Sequence, residues 1–209
     1  MAVSRLSQST LQNAFSKYNS IWDGKSAVGS MEAISAITLS ASQATVEFNN
    51  IPQTYSHLQI RFIARSDFNN ATYGCVDSYI EDTTPGSTIT NYYSHTLYGN
   101  GTSASTLNAA GGFSTAQLTE NAIPSSICAS YIFGSGIIDI LDYTNTNKNI
   151  TVKTVAGVDL NGATPSATWN SHLGFTSTSW ARTVSTSALR LSVDGNWVAN
   201  SSFTLYGIK

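Results

Sequence analysis

From residue 34 to the C-terminus the apolar residues fall in short runs separated by clusters of Gly, Asn, Ser, Thr and Pro. That is the signature of an antiparallel sandwich or barrel. In HLQIRFIARS at 57–66, Leu58, Ile60, Phe62 and Ala64 alternate with Gln59, Arg61 and Arg65. A two-residue period turns the first set inward and the second outward, with Ile63 as the exception. At 187–193, Leu189, Leu191 and Val193 alternate with Arg190 and Ser192, and the following Asp194-Gly195 pair predicts a tight turn. Further candidate strands lie at 34–40, 44–51, 74–80, 92–98, 127–133, 136–143, 149–157, 167–177 and 202–208, eleven candidates in all for an expected count of about eight to ten strands.

Two stretches depart from this pattern. In residues 1–30, Leu11, Phe15, Tyr18 and Trp22 recur at the spacing that lines one face of a helix, with Ser7 or Ser9 as cap and Asp23-Gly24 as stop. Such a helix either folds back on the core of its own domain or serves as an arm that anchors the chain to a larger body. Residues 99–126 open with Gly99-Asn100-Gly101 and hold only scattered apolar residues, Leu107, Phe113 and Leu118 among them. They read as a long surface loop, which with 67–73 and 81–90 is where a variable partner would bind.

A chain of 209 residues is long enough for one sandwich with an appendage, so the expected organisation is an arm over 1–30 and a β-sandwich domain over 31–209. Charged residues are 11% of the chain and the net charge is −2, against about 25% charged in an average globular protein. Without positive charge to neutralise phosphates, nucleic acid is not an expected partner. No stretch approaches about 18 apolar residues, so no membrane partner is expected and the chain reads as soluble. A surface of Ser, Thr and Asn costs less to desolvate than one of Lys and Glu, which suits contacts between subunits. Cys75 and Cys128 read as unpaired thiols packed as small hydrophobes.

Candidate chemistry is sparse. His57, His95 and His172 show no metal-ligand spacing, and each falls in a predicted strand as an interior or interface residue. Nucleophile, phosphate-loop and dinucleotide motifs are absent. Asp139 and Asp142, three apart on a strand, point to opposite faces and would not flank one glycosidic bond. Asp142 is expected to cap the turn at 143–149 and Asp139 to hydrogen-bond, with a calcium site at that Asn-rich turn as the lesser alternative. Trp22, Trp169, Trp180 and Trp197 are expected to pack rather than line a sugar groove, Trp197 in the core or at an interface. No catalytic residue, metal or cofactor is expected. A polysaccharide-cleaving enzyme would need carboxylates that converge only in the fold.

The run GIIDILDYTNTNKNITVKTVAGVDLNG at 136–162, the ending SSFTLYGIK and the segment IPQTYSHLQIRFIARSD at 51–67 resemble a group of tailed-bacteriophage virion proteins. Members of that group carry a similar D-I-L-D-Y-x-N-T-N-K run and end in L-Y-G-I-K. They serve in head decoration, in fibres or in tails. The resemblance implies an all-β, antiparallel β-sandwich of jelly-roll type, preceded by a short N-terminal arm with one helix and associating as a homotrimer. The run SRLSQSTLQNAFSKYNSIWDG looks like the lead-in of members that attach directly to a particle, and no shaft-like repeat is present. The expectation is a non-enzymatic capsid decoration, or cement, protein on the virion surface, made in the bacterial host cytoplasm. Leu11, Phe15, Tyr18 and Trp22 would dock it on the major capsid protein. The competing expectation is a tail fibre or receptor-binding tip that recognises a host-surface glycan or protein.

Overall fold

The computed structural model describes residues 30–70, 74–85, 92–100, 103–113, 115–160 and 172–209. These residues are all-β, with strands β1 (Met31–Thr38), β2 (Gln43–Phe48), β3 (His57–Ala64), β4 (Cys75–Asp82), β5 (Tyr92–Gly99), β6 (Ala104–Phe113), β7 (Ala116–Pro124), β8 (Gly134–Leu141), β9 (Ile150–Val158), β10 (His172–Trp180), β11 (Leu189–Trp197) and β12 (Ser202–Ile208). They form an eight-stranded sheet, β1-β12-β3-β8-β9-β10-β5-β6, and a four-stranded sheet, β2-β11-β4-β7. The expected helix over 11–22 lies outside the described residues.

One core joins the two sheets. Leu58, Ile60, Phe62 and Ala64 of β3 are buried and Ile63 is 53% exposed, as the alternation predicts. Leu189, Leu191 and Val193 of β11 are buried opposite them. Trp197 of β11 meets Phe203 of β12 edge-on at 5.0 Å, and Phe203 stacks on Phe62 at 6.3 Å. Trp180 and Trp197 are fully or almost fully buried. Each large apolar side chain placed this way contributes about 1.5–3 kcal/mol.

Four expectations are corrected. Residues 99–126 are not a loop, since β6 and β7 occupy most of them. Both strands are rich in small and polar residues, and β7 buries Thr119, Glu120 and Asn121, so the apolar contrast that marks a strand is missing. Residues 127–133, read as a strand, instead form turns between β7 and β8, with hydrogen bonds from Cys128 N to Ser125 O at 3.2 Å and from Ile132 N to Ala129 O at 3.0 Å. Asp194-Gly195 does not reverse the chain but lies inside β11, in a register shift between Ser192 and Trp197. Gly195 has φ +81°, and a Cβ there would stand 2.8 Å from Asp67 Oδ1. Only glycine fits this bulge. Asp67 in turn accepts from Asn196 N at 2.7 Å and Nδ2 at 3.0 Å.

The fourth correction is Arg65, expected to face outward but 6% exposed. β3 ends at Ala64, so Arg65 has left the alternation. Its guanidinium donates to the carbonyls of Cys128 at 2.6 Å, Ala129 at 2.6 Å and Ile132 at 3.2 Å. It thereby fixes the turns that replace the expected strand. A second buried cation, Arg182, pairs with Asp82 at 3.0 Å, and Asp82 also accepts from Thr84 N at 2.8 Å and from the Thr186 hydroxyl. These bonds tie residues 182–186 to the end of β4.

A lysine at position 65 would present one compact ammonium where a planar fork now serves three carbonyls. Arg65→Lys is expected to lower stability by about 2–4 kcal/mol, because buried acceptors lose their donors. A denaturant melt checks this, and a loss below about 0.5 kcal/mol, the size of an ordinary surface substitution, would show that the turns do not depend on the guanidinium.

Candidate functional site

Across the large sheet the inner face changes character. The ladder register aligns Leu205, Ile60, Ile138, Thr154, Thr176 and Thr96 in one inward row. It is aliphatic through β12, β3 and β8 and becomes hydroxyl-bearing in β9, β10 and β5. The Thr96 and Thr176 hydroxyls bond each other at 3.0 Å, and Thr178 donates to Gln117 O of β7 at 3.3 Å. His172 Nδ1 lies 3.1 Å from Asn121 O, and burial pushes its pKa down.

The opposite face of the same strands carries the large apolar residues. Leu173 is 66% exposed, with Leu97, Val155, Phe175 and Ile137 each above 40%. At the centres of β5 and β10 the usual pattern is thus inverted, with Ser94, Thr96, Thr176 and Thr178 inside and Leu97 and Phe175 outside, while Tyr92 and Trp180 fill the core at one end. A strand displays its larger apolar side chains where they will be covered.

The register gives this outer face its relief. Arg61, Ile137, Val155, Phe175, Leu97 and Thr106 form one row across β3, β8, β9, β10, β5 and β6. Its four central residues make an apolar ridge. The adjacent row runs Ile63, Ser135, Gly157, Leu173, Gly99 and Ala104, with small residues either side of Leu173. Two hollows result, an open groove of about 880 Å3 reaching Ser135, Gly157 and Asp159, and one of about 330 Å3 between Leu97, Gly99, Ala104 and Leu173. A polar row borders the ridge on its other side. There Gln59 donates to Asp139 at 2.7 Å, and Lys153 stands opposite Asp139 in the ladder. Arg61 donates to Gln59 at 2.9 Å and lies 5.4 Å from the centre of the Tyr206 ring. Charges on this face therefore sit beside polar or opposite-sign neighbours.

Of the residues singled out from sequence, Leu11, Phe15, Tyr18 and Trp22 lie outside the described residues. His57 and His95 are in β3 and β5, and His95 is exposed on the polar row. Asp142 pairs with Lys148, and its backbone N donates to His57 Nδ1 at 2.9 Å, at the mouth of the 143–149 turn. Cys75 and Cys128 are free thiols, both buried. Among the described residues no group of three or more His, Cys, Asp and Glu is placed to hold a metal. The outer face was not singled out, although Leu173 and Phe175 alternating with Thr176 and Thr178 is a signal readable in the sequence.

Among the described residues carboxylates converge between β4, β7 and β11, as well as at Arg190, which holds Glu47 and Glu81. Asp77 accepts from Asn121 N at 2.8 Å and from Gln117 Nε2 at 2.9 Å, and the same amide donates to Glu120 at 2.7 Å. Tyr79 donates to Asp194 at 3.2 Å alongside. The Gln117 amide thus stands between the two carboxyls, in the space a substrate oxygen would need. Burial, reinforced by Glu120 and Asp194, pushes Asp77 up to about 7 against the two hydrogen bonds, and burial also raises Glu120.

Comparison of the chain with protein-family models, with curated proteins and with solved structures returned no match.

Because Asp77 holds its proton more tightly folded than unfolded, its stabilising effect is complete below the ordinary value of 3.8 and is lost as pH rises through about 7. Stability is expected to fall by about 4 kcal/mol between pH 4 and 8 on account of Asp77, and Asp77→Asn is expected to flatten that slope. Thermal melts across this range check it, and an unchanged slope in the variant would remove Asp77 as the cause.

Proposed function

We propose that this chain is a non-enzymatic structural component of a tailed-bacteriophage virion, a decoration protein that associates with itself and docks on the major capsid protein. The observation that carries the reading is the outer face of the large sheet. A domain with few charges presents a contiguous ridge of Ile137, Val155, Phe175 and Leu97 to the outside. Depletion of charge around an aromatic and aliphatic centre is the composition of a subunit contact. The resemblance of 51–67, 136–162 and the LYGIK ending to virion proteins supplies the setting, and the two antiparallel sheets are compatible with the jelly-roll arrangement it implies. Leu11, Phe15, Tyr18 and Trp22 are the proposed anchoring residues.

A tail-tip role in host recognition is the second reading. It is favoured by the groove, in which Arg61, Asn100 and Asp159 adjoin apolar walls, a mixture suited to a saccharide.

Co-sedimentation with phage capsids that lack the protein tests the first reading. The full chain is expected to bind and to slow heat-induced DNA release, and a chain lacking residues 1–30 is expected to do neither. A full chain that leaves capsids untouched but binds host-cell polysaccharide would replace this reading with the second.

A further inference from the structure

We propose that the outer face of the large sheet is the contact between two copies of this chain, related by a two-fold axis that runs along the ridge. The inference rests on the self-association in the reading above and not on its virion setting.

Three observations carry it. The first is the inverted pattern at the centres of β5 and β10, where Leu97, Leu173 and Phe175 stand outside while Thr96, Thr176 and Thr178 are buried inside. The second is relief. A ridge lying beside a parallel row whose Ser135, Gly157, Gly99 and Ala104 are small is complementary to itself at those positions, since a half-turn about an axis between the rows exchanges them. Strands then lie over their own counterparts. Ile137 of the second copy faces Ser135, Leu97 faces Gly99, and Phe175 meets Leu173. The hollows on either side of Leu173 are where those side chains enter.

The third observation is size. Strands about 4.8 Å apart and same-face rows about 6.7 Å apart give the two exchanged rows from β12 to β6 roughly 400 Å2 per copy. Two copies bury roughly 800 Å2, below the ~1,000 Å2 of a permanent interface and the size of a weak, reversible one. The charges agree with this fit. Lys153 and Asp139 stand side by side in the bordering row, so a half-turn sets no uncompensated like charges against the ridge.

An isologous contact of this kind builds a dimer, whereas the resemblance implies three copies, so the number of copies in solution decides between them. Sedimentation velocity of the full chain across micromolar concentrations is expected to show a monomer–dimer equilibrium. Val155→Lys combined with Leu97→Lys is expected to raise the dissociation constant by roughly 100-fold or more, with the β-sheet circular dichroism and the melting curve retained. Tyr131→Lys, at a side chain 79% exposed in the turn before β8 and outside the ladder rows, is expected to leave the dimer intact and serves as the control. A milder single variant, Ser135→Asp, places one charge under the incoming Ile137 and is expected to weaken the dimer without touching the ridge.

A chain that stays monomeric at every concentration overturns both this inference and the self-association it rests on. A dimer indifferent to the ridge and Ser135 variants overturns the face alone, and a trimer overturns the two-fold axis. A monomeric chain whose capsid or polysaccharide binding is abolished by the ridge variant assigns the face to another occupant.

Discussion

The two-residue period of an extended chain ties each inner face to its outer one. A strand that buries every second side chain must present the others, and only one of the two sets can face the opposing sheet. Here a four-stranded sheet lies against an eight-stranded one. Through β12, β3 and β8 the strands respond in the usual way, with Leu205, Ile60 and Ile138 inside and Thr204 and Arg61 outside. In the row through β9, β10 and β5 the balance tips, and Thr154, Thr176 and Thr96 face inward while Val155, Phe175 and Leu97 face away. The threonine layer is tolerable because its hydroxyls bond each other and the β7 backbone, so little buried polarity is left unmet. The apolar outer ridge has no such internal remedy. A covering surface is its natural partner.

Much of this was legible in the sequence, and the rest was hidden for definite reasons. β3, β11 and β12 announce themselves because their inner residues are large and apolar, giving maximum contrast with polar neighbours. β6 and β7 hide because most of their residues are small or polar, with Leu107, Leu118 and Ile123 too scattered to mark a period. Their pairing becomes visible only when β5 and β4 are placed beside them. Arg65 reads as an outward residue as long as the strand is assumed to continue. The strand stops one residue earlier, and the guanidinium then turns into a set of carbonyls from a segment more than sixty residues away. Asp194-Gly195 carries the right chemistry for a positive φ, but whether that φ makes a turn or a bulge depends on Asp67 and Asn196 across the gap. The outer face was written in the alternation of 172–180, but its meaning depended on knowing which set faces β7.

Function rests on the same constraint. The converged carboxyls of Asp77 and Glu120 share the Gln117 amide, a structural linkage of β4 to β7 whose cost is felt as pH rises. The outer ridge, by contrast, is exposed and offers a neighbour both knobs and hollows. The proposed role as a virion surface component uses that face for assembly and the N-terminal arm for attachment, so the two tasks fall on different parts of the chain.

The most direct measurement is hydroxyl-radical footprinting of the full chain at low and high concentration, read by mass spectrometry at Leu97, Leu173 and Phe175, with Tyr131 as the internal reference. Protection of the three ridge-face residues at high concentration, with Tyr131 labelled equally throughout, is the expected result. Equal labelling of all four at every concentration would contradict a covered face.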